Sequence, residues 1–228
     1  MIEKVRVVRR FPHDPEAFTQ GLLWHQGRLF ESTGLVGRSS VREVQLEDGA
    51  VLRSYALTAP IFGEGLAAVG DEIVSLTWWN GIALRWDVER LELKGAFPNP
   101  REAWGLTGDG TELVMSDGTN VLRFFDPEGF QLLRELEVHF DGRPVTGLNE
   151  LQWVEGEILA NLWPEPLIAR IDPGSGAVTG WIDLTPLLKE CGSGDPERVA
   201  NGIAWDPDAR RLFVTGKNWP WLYEIAFP

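Results

Sequence analysis

Short apolar runs broken by Gly, Asp and Asn fill the chain from residue 18 onward. After GLLW, the turn Gln26-Gly27 precedes RLFEST, a glycine-bearing turn precedes SSVREVQL, and Glu47-Asp48-Gly49 precedes VLRSYAL. Runs of this length between such residues read as antiparallel strands. Asp126-Pro127, Asp172-Pro173 and Asp206-Pro207 mark further turns. No long stretch carries the apolar spacing of an amphipathic helix. Residues 183–200 form the largest insertion and have room for one helical turn.

One run recurs. FTQGLLW (18–24), FGEGLAA (62–68), EAWGLTG (102–108), GLNELQW (147–153) and VANGIAW (199–205) share a variable residue, then Gly (Glu150 once), then Leu or Ile. The variable residues Gln20, Glu64, Trp104, Asn149 and Asn201 lie 44, 40, 45 and 52 positions apart, a period that suits a four-stranded propeller blade. After VANGIAW only RRLFVTG and LYEIAF follow, so the last unit lacks its outer strand. KVRVVRRF (4–11), ahead of the first repeat, has the character to supply it, and such pairing removes two sheet edges at once. The expected fold is all-β: one domain over residues 1–228, a five-bladed β-propeller of four-stranded blades, its ring closed by the N-terminal strand against the last blade.

The innermost strands of a propeller line its axis, so the five variable residues are expected to meet near one end of the channel. Fourteen positions later the chain has returned to that end, at Gly34, Trp78, Gly118 and Trp163. The fifth hairpin is two residues longer and brings Lys217 to the same place. Indole walls, one acid, one base and several amides then share a mouth, which is the make-up of a small polar-ligand site. Each residue has a structural reading when taken singly. Glu64 and Lys217 could be an ion pair, the asparagines turn residues, and Trp78, Trp104 and Trp163 blade packing like Trp24, Trp153 and Trp205. Convergence on two repeat positions favours a site.

Composition narrows the classes. The chain has 228 residues, 43% of them hydrophobic, and a net charge of −13. That balance argues against nucleic acid or an anionic membrane as partner, since both require a basic face. The single Cys191 allows no internal disulfide, and the three histidines show no zinc spacing. MIEKVRVVRRF is too charged for a secretory signal. The chain as given is expected in the cytoplasm, and secreted or periplasmic where a signal has been trimmed. It is expected to act as a monomer.

FPHDPEAFTQGL (11–22), RLFESTGLVGRSSVR (28–42), FGEGLA (62–67), LTWWNG (76–81), EAWGLT (102–107), LNELQW (148–153), ANLWP (160–164) and ANGIAWD (200–206) resemble the plant-type and bacterial glutaminyl cyclases, or glutamine cyclotransferases. The likeness runs through all five repeats. In TGLVGRSS this chain has Val36, a loop-tip position where the family often carries an aromatic. The resemblance implies a five-bladed propeller that converts an N-terminal glutamine of a peptide or protein to pyroglutamate, releasing ammonia without a catalytic zinc or other cofactor. It also implies that Glu64 is the catalytic acid, with Phe18, Gln20, Phe62, Trp78, Trp104, Asn149, Trp163 and Lys217 in the substrate site. Asn201 joins them as the first-ring residue of the fifth repeat, and Lys217 and Asn149 are expected to assist Glu64.

Two rivals stand beside this expectation. In a calcium-dependent propeller lactonase, Glu64, Asn149 and Asn201 would be metal ligands. The inner ring offers one Glu, two amides and no Asp, with a lysine nearby, a poor set for a hard cation. A non-catalytic binding propeller would turn over no peptide.

Overall fold

The computed structural model describes residues 2–192 and 194–226. Five four-stranded antiparallel blades are arranged as a β-propeller. The first three comprise Thr19–His25 to Val51–Ala56, Gly63–Val69 to Glu92–Pro98, and Leu106–Gly108 to Leu132–Glu137, each running from inner to outer strand. The fourth runs from Leu148–Val154 to Val178–Asp183. In the fifth, Ala200–Asp206, Arg211–Gly216 and Trp221–Ile225 are completed by Val7–Pro12, antiparallel to Trp221–Ile225. Phe227 of LYEIAF lies outside the described residues.

The N-terminal segment does more than close the ring. Ile2–Lys4 first adds to the fourth blade as a fifth strand, parallel to Val178–Asp183. The chain then crosses to the fifth blade at Val7. KVRVVRRF is therefore split between two blades, and one segment ties the last two together. A small hairpin, His139–Phe140 with Arg143–Pro144, precedes the fourth blade. The insertion before the fifth blade holds the helix Thr185–Glu190, which starts with a proline in its first turn and buries Leu187. Cys191 is its C-cap, buried beside the Tyr223 hydroxyl at 3.3 Å.

The core lies between blades. Leu22 and Leu29 of the first blade meet Ala204, Phe213 and Leu222 of the fifth. Phe30 and Val41 meet Ile73, Leu84 and Trp86 of the second. Three further clusters fill the remaining junctions. Each fully buried aliphatic or aromatic side chain contributes about 1.5–3 kcal/mol. Trp24 stacks on Phe213, ring centroids 5.5 Å apart, which bears out its expected place between blades.

Toward the axis the inner strands approach too closely for side chains at the repeat glycines. A Cβ on Gly65 would fall 2.5 Å from the Leu106 backbone nitrogen of the next blade. Glu150 replaces the glycine in the fourth unit because its carboxylate spans the axis. It accepts from Leu22 N of the first blade at 3.2 Å and Ile203 N of the fifth at 2.8 Å. Inner-edge N–H groups have no strand partner on that side, and a buried unpaired donor is costly, so this carboxylate satisfies two of them.

Candidate active site

The variable residues of four repeats coincide with register breaks. Pairing skips Gln20 between Thr19 and Gly21, Glu64 between Gly63 and Leu66, Asn149 between Leu148 and Leu151, and Asn201 between Ala200 and Ile203. Such a break re-aims a side chain out of the sheet alternation. It explains how an acid occupies an apolar strand: Glu64 leaves the blade and turns to the channel mouth. In the third blade the inner strand begins only at Leu106, and Trp104 lies ahead of it.

Nine of the residues singled out in the sequence line one cavity of about 330 Å³: Phe18, Gln20, Phe62, Glu64, Trp78, Trp104, Asn149, Trp163 and Lys217. Leu35 and Glu197 complete it. The two second-ring glycines make room for aromatic walls. A Cβ on Gly34 would sit 2.5 Å from the Phe62 ring, and one on Gly118 2.6 Å from Trp104. Phe18, Phe62 and Trp78 form a chain of tilted and edge contacts with centroids 6.3 and 5.6 Å apart, and Trp104 meets Trp163 edge-on at 5.9 Å. Lys217 Nζ sits 4.7 Å above the Phe18 ring, a cation–π arrangement that holds the ammonium inside the mouth.

Asn201 requires a correction. It does not line the cavity but is fully buried beneath it, because the register break in the fifth blade aims its amide at the neighbouring inner strand. Its Nδ2 donates to Thr19 O at 3.0 Å and to Gln20 Oε1 at 3.2 Å. Gln20 in turn hydrogen-bonds the Glu64 side chain. Since Gln20 Oε1 already accepts from Asn201, its Nε2 is the donor to Glu64. The calcium reading thereby loses one of its three ligands, and Lys217 shares the cavity with the others. Ser32 Oγ donates to the Glu64 carbonyl and holds its backbone. Asn149 Oδ1 is buried without a partner among the described residues.

Below Thr19 lies a charged cluster with no signal in the repeat pattern. Glu31 accepts from Thr19 Oγ1 at 2.6 Å, from Arg42 Nε at 2.9 Å and from His13 Nε2 at 3.0 Å. Burial opposes the Glu31 charge, but His13 and Arg42 outweigh it and bring the carboxyl down to about 2. Burial also opposes the charge on His13, yet the carboxylate of Glu31 raises its pKa above the usual histidine value.

The site acid behaves in the opposite way. Burial drives the Glu64 carboxyl well above the ordinary range, against the pull of Lys217 and the Gln20 hydrogen bond, and Glu102 adds to the rise. Burial lowers the Lys217 ammonium, against the pull of Glu64 and Glu197. The cavity thus holds an acid inclined to keep its proton and a base inclined to lose one, the direction in which burial tunes groups that transfer protons. Neither Glu102 nor Glu197 carries a signal in the repeat pattern. Glu102 lies off the repeat position, though within the quoted EAWGLT, and Glu197 lies in the insertion, where repeat counting does not reach.

The family profile described as Glutamine cyclotransferase matches residues 2–227. A glutaminyl-peptide cyclotransferase of Arabidopsis thaliana is 43% identical over 98% of this chain and 71% of its own. The crystal structure of Myxococcus xanthus glutaminyl cyclase superposes with a TM-score of 0.94 at 38% identity, covering 99% of this chain and 97% of that one. Virginiamycin B lyase from Staphylococcus aureus, at 14% identity and TM-score 0.51 over 92% of this chain and 67% of that one, shares the fold alone. The chain belongs to the glutamine cyclotransferase family.

Proposed function

We infer that this chain is a glutaminyl-peptide cyclotransferase, closing the N-terminal glutamine of a peptide or protein to pyroglutamate with release of ammonia, and that Glu64 moves the protons. The observation that carries this reading is a buried carboxylate with a raised pKa in an aromatic cavity, opposite a lysine, on a chain of this family.

The reaction forms a bond between the substrate's α-nitrogen and its own side-chain amide carbon and breaks the bond from that carbon to the amide nitrogen. The α-amine must be neutral to attack, and its ordinary pKa is roughly 8. Glu64 as carboxylate takes one proton from the α-ammonium. After attack, it hands that proton to the departing nitrogen and takes the proton left on the ring nitrogen. The released ammonia removes this last proton, so the products are the lactam and ammonium, and Glu64 returns to its starting state. One carboxylate can serve both nitrogens because they share a carbon. The rise imposed by burial brings Glu64 toward the pKa of its proton donor.

Lys217 and Asn149 are suited to the developing oxyanion, since a lysine and an amide N–H group are the donors such a charge requires. Gln20 holds Glu64 and adds a polar edge to the cavity. Trp78, Trp104 and Trp163, with Phe18 and Phe62, enclose the folded-back side chain. Fixing that conformer turns a flexible chain into a reactive one, a large effect in ring closure.

The test is ammonia release from a Gln-initiated dipeptide, with and without a chelator. Turnover unaffected by the chelator supports this reading. Loss of activity in the chelator supports the calcium alternative, and absence of turnover from any Gln-initiated peptide supports a binding propeller.

A further inference from the structure

The aromatic cavity walls come from different blades, and one acid joins them. Oε1 of Glu102 accepts from Trp78 Nε1 at 2.7 Å and from Trp104 Nε1 at 3.0 Å. Trp78 follows the second strand of the second blade, whereas Trp104 leads into the first strand of the third. Glu102 lies in the connection between the two blades. Trp78 is 40% exposed, so packing covers only part of it, and its ring contact with Phe62 is a tilted one. The Glu102 bond anchors the indole nitrogen of this half-exposed ring. It also links Phe18–Phe62–Trp78 to Trp104–Trp163 as one run of aromatic rings along the cavity.

We propose that Glu102 is a positioning residue of this site, fixing the spacing of the Trp78 and Trp104 indoles and hence the width of the cavity that receives the glutamine side chain. This deepens the cyclotransferase reading and rests on it for its kinetic consequences. A carboxylate suits the task because it offers several lone pairs and can receive two N–H donors from different directions. Its charge adds a second effect. Lys217 and Glu102 are the charged groups that act on Glu64, and Glu102 favours the protonated form.

The experiment compares Glu102→Ala and Glu102→Gln with the wild type by three readouts. The first is the set of indole N–H resonances, eleven in all. Glu102→Ala moves two of them, those of Trp78 and Trp104, to the position of unbonded indoles, and Glu102→Gln, which keeps an acceptor oxygen, restores at least one. The second is the split between KM and kcat for a Gln-initiated dipeptide. Alanine raises KM about tenfold or more with a smaller change in kcat, and glutamine recovers most of the loss. The third is the pH profile, whose acid limb moves to lower pH in both variants because the neighbouring charge is gone. Matched thermal midpoints show that the variants are folded. Unmoved indole resonances in Glu102→Ala, wild-type KM in Glu102→Ala, or a glutamine variant as impaired as alanine would each overturn the proposal. The indole resonances need no turnover, so a failure of the cyclotransferase reading, seen as a wild type that releases no ammonia, is distinguishable from a failure of this one.

Discussion

Asn201 Nδ2 donates to Gln20 Oε1 at 3.2 Å, and this bond fixes which end of the Gln20 amide faces Glu64. A residue outside the cavity thereby sets the donor side of the acid inside it. Asn201→Ala should lower kcat/KM about tenfold, the equivalent of one hydrogen bond of roughly 1.4 kcal/mol. The same change should lower stability by about 1 kcal/mol, because Thr19 O also loses a donor. Steady-state kinetics alongside denaturant unfolding checks both, and unchanged kinetics would show that Gln20 keeps its orientation without Asn201.

Glu150 should govern stability without touching substrate. Glu150→Ala leaves Leu22 N and Ile203 N buried without an acceptor, at about 1–3 kcal/mol each. Burial raises the Glu150 carboxyl well above its ordinary value, against the pull of those two N–H groups. A raised folded-state pKa means that its stabilisation is fully present below the unfolded value and fades as pH rises through the folded one. Thermal midpoints should therefore fall more between pH 5 and pH 9 in the wild type than in Glu150→Gln, whose side chain does not ionise.

The Glu31 cluster should act in the reverse sense at low pH. Its carboxyl is held at about 2, so its stabilisation is present above the unfolded value and is lost as pH falls toward about 2. His13 is raised, so its contribution is present below the ordinary histidine value and is lost as pH rises through the folded one. The pair is most stabilising in the mildly acidic window between these limits. Glu31→Gln should cost about 3–5 kcal/mol, as for a buried charge network that loses one member, and urea unfolding near pH 6 measures it.

Gly34→Ala tests how tightly the aromatic wall is set. The added methyl would overlap the Phe62 ring and push it toward the cavity. KM for a Gln-initiated dipeptide should rise several-fold, with little change in thermal midpoint if the displaced ring finds space in the cavity.

The ring of blades was legible because a structural repeat imposes a sequence repeat. Gln20, Glu64, Asn149 and Asn201 stand at one register break in four blades, and counting from them reached Trp78, Trp163 and, after a correction for hairpin length, Lys217. What escaped has local causes. Glu102 belongs to no strand, and its two indole donors come from different blades. Glu197 lies in an insertion that only one blade carries. For Asn201, repeat position gives the end of the channel at which the residue sits but not the direction of its side chain. The exceptional Glu150 was visible as a break in the glycine pattern, but its partners come from two other blades. The parallel pairing of Ile2–Lys4 depends on where the chain enters the ring, which the run of alternating residues does not encode.

The central claim is that Glu64 carries the protons of the cyclisation. Ammonia release from a Gln-initiated dipeptide by Glu64→Gln tests it most directly, with the thermal midpoint measured on the same sample. The account predicts a loss of at least about a hundredfold in turnover in a folded variant. Near wild-type turnover by that folded variant would contradict it.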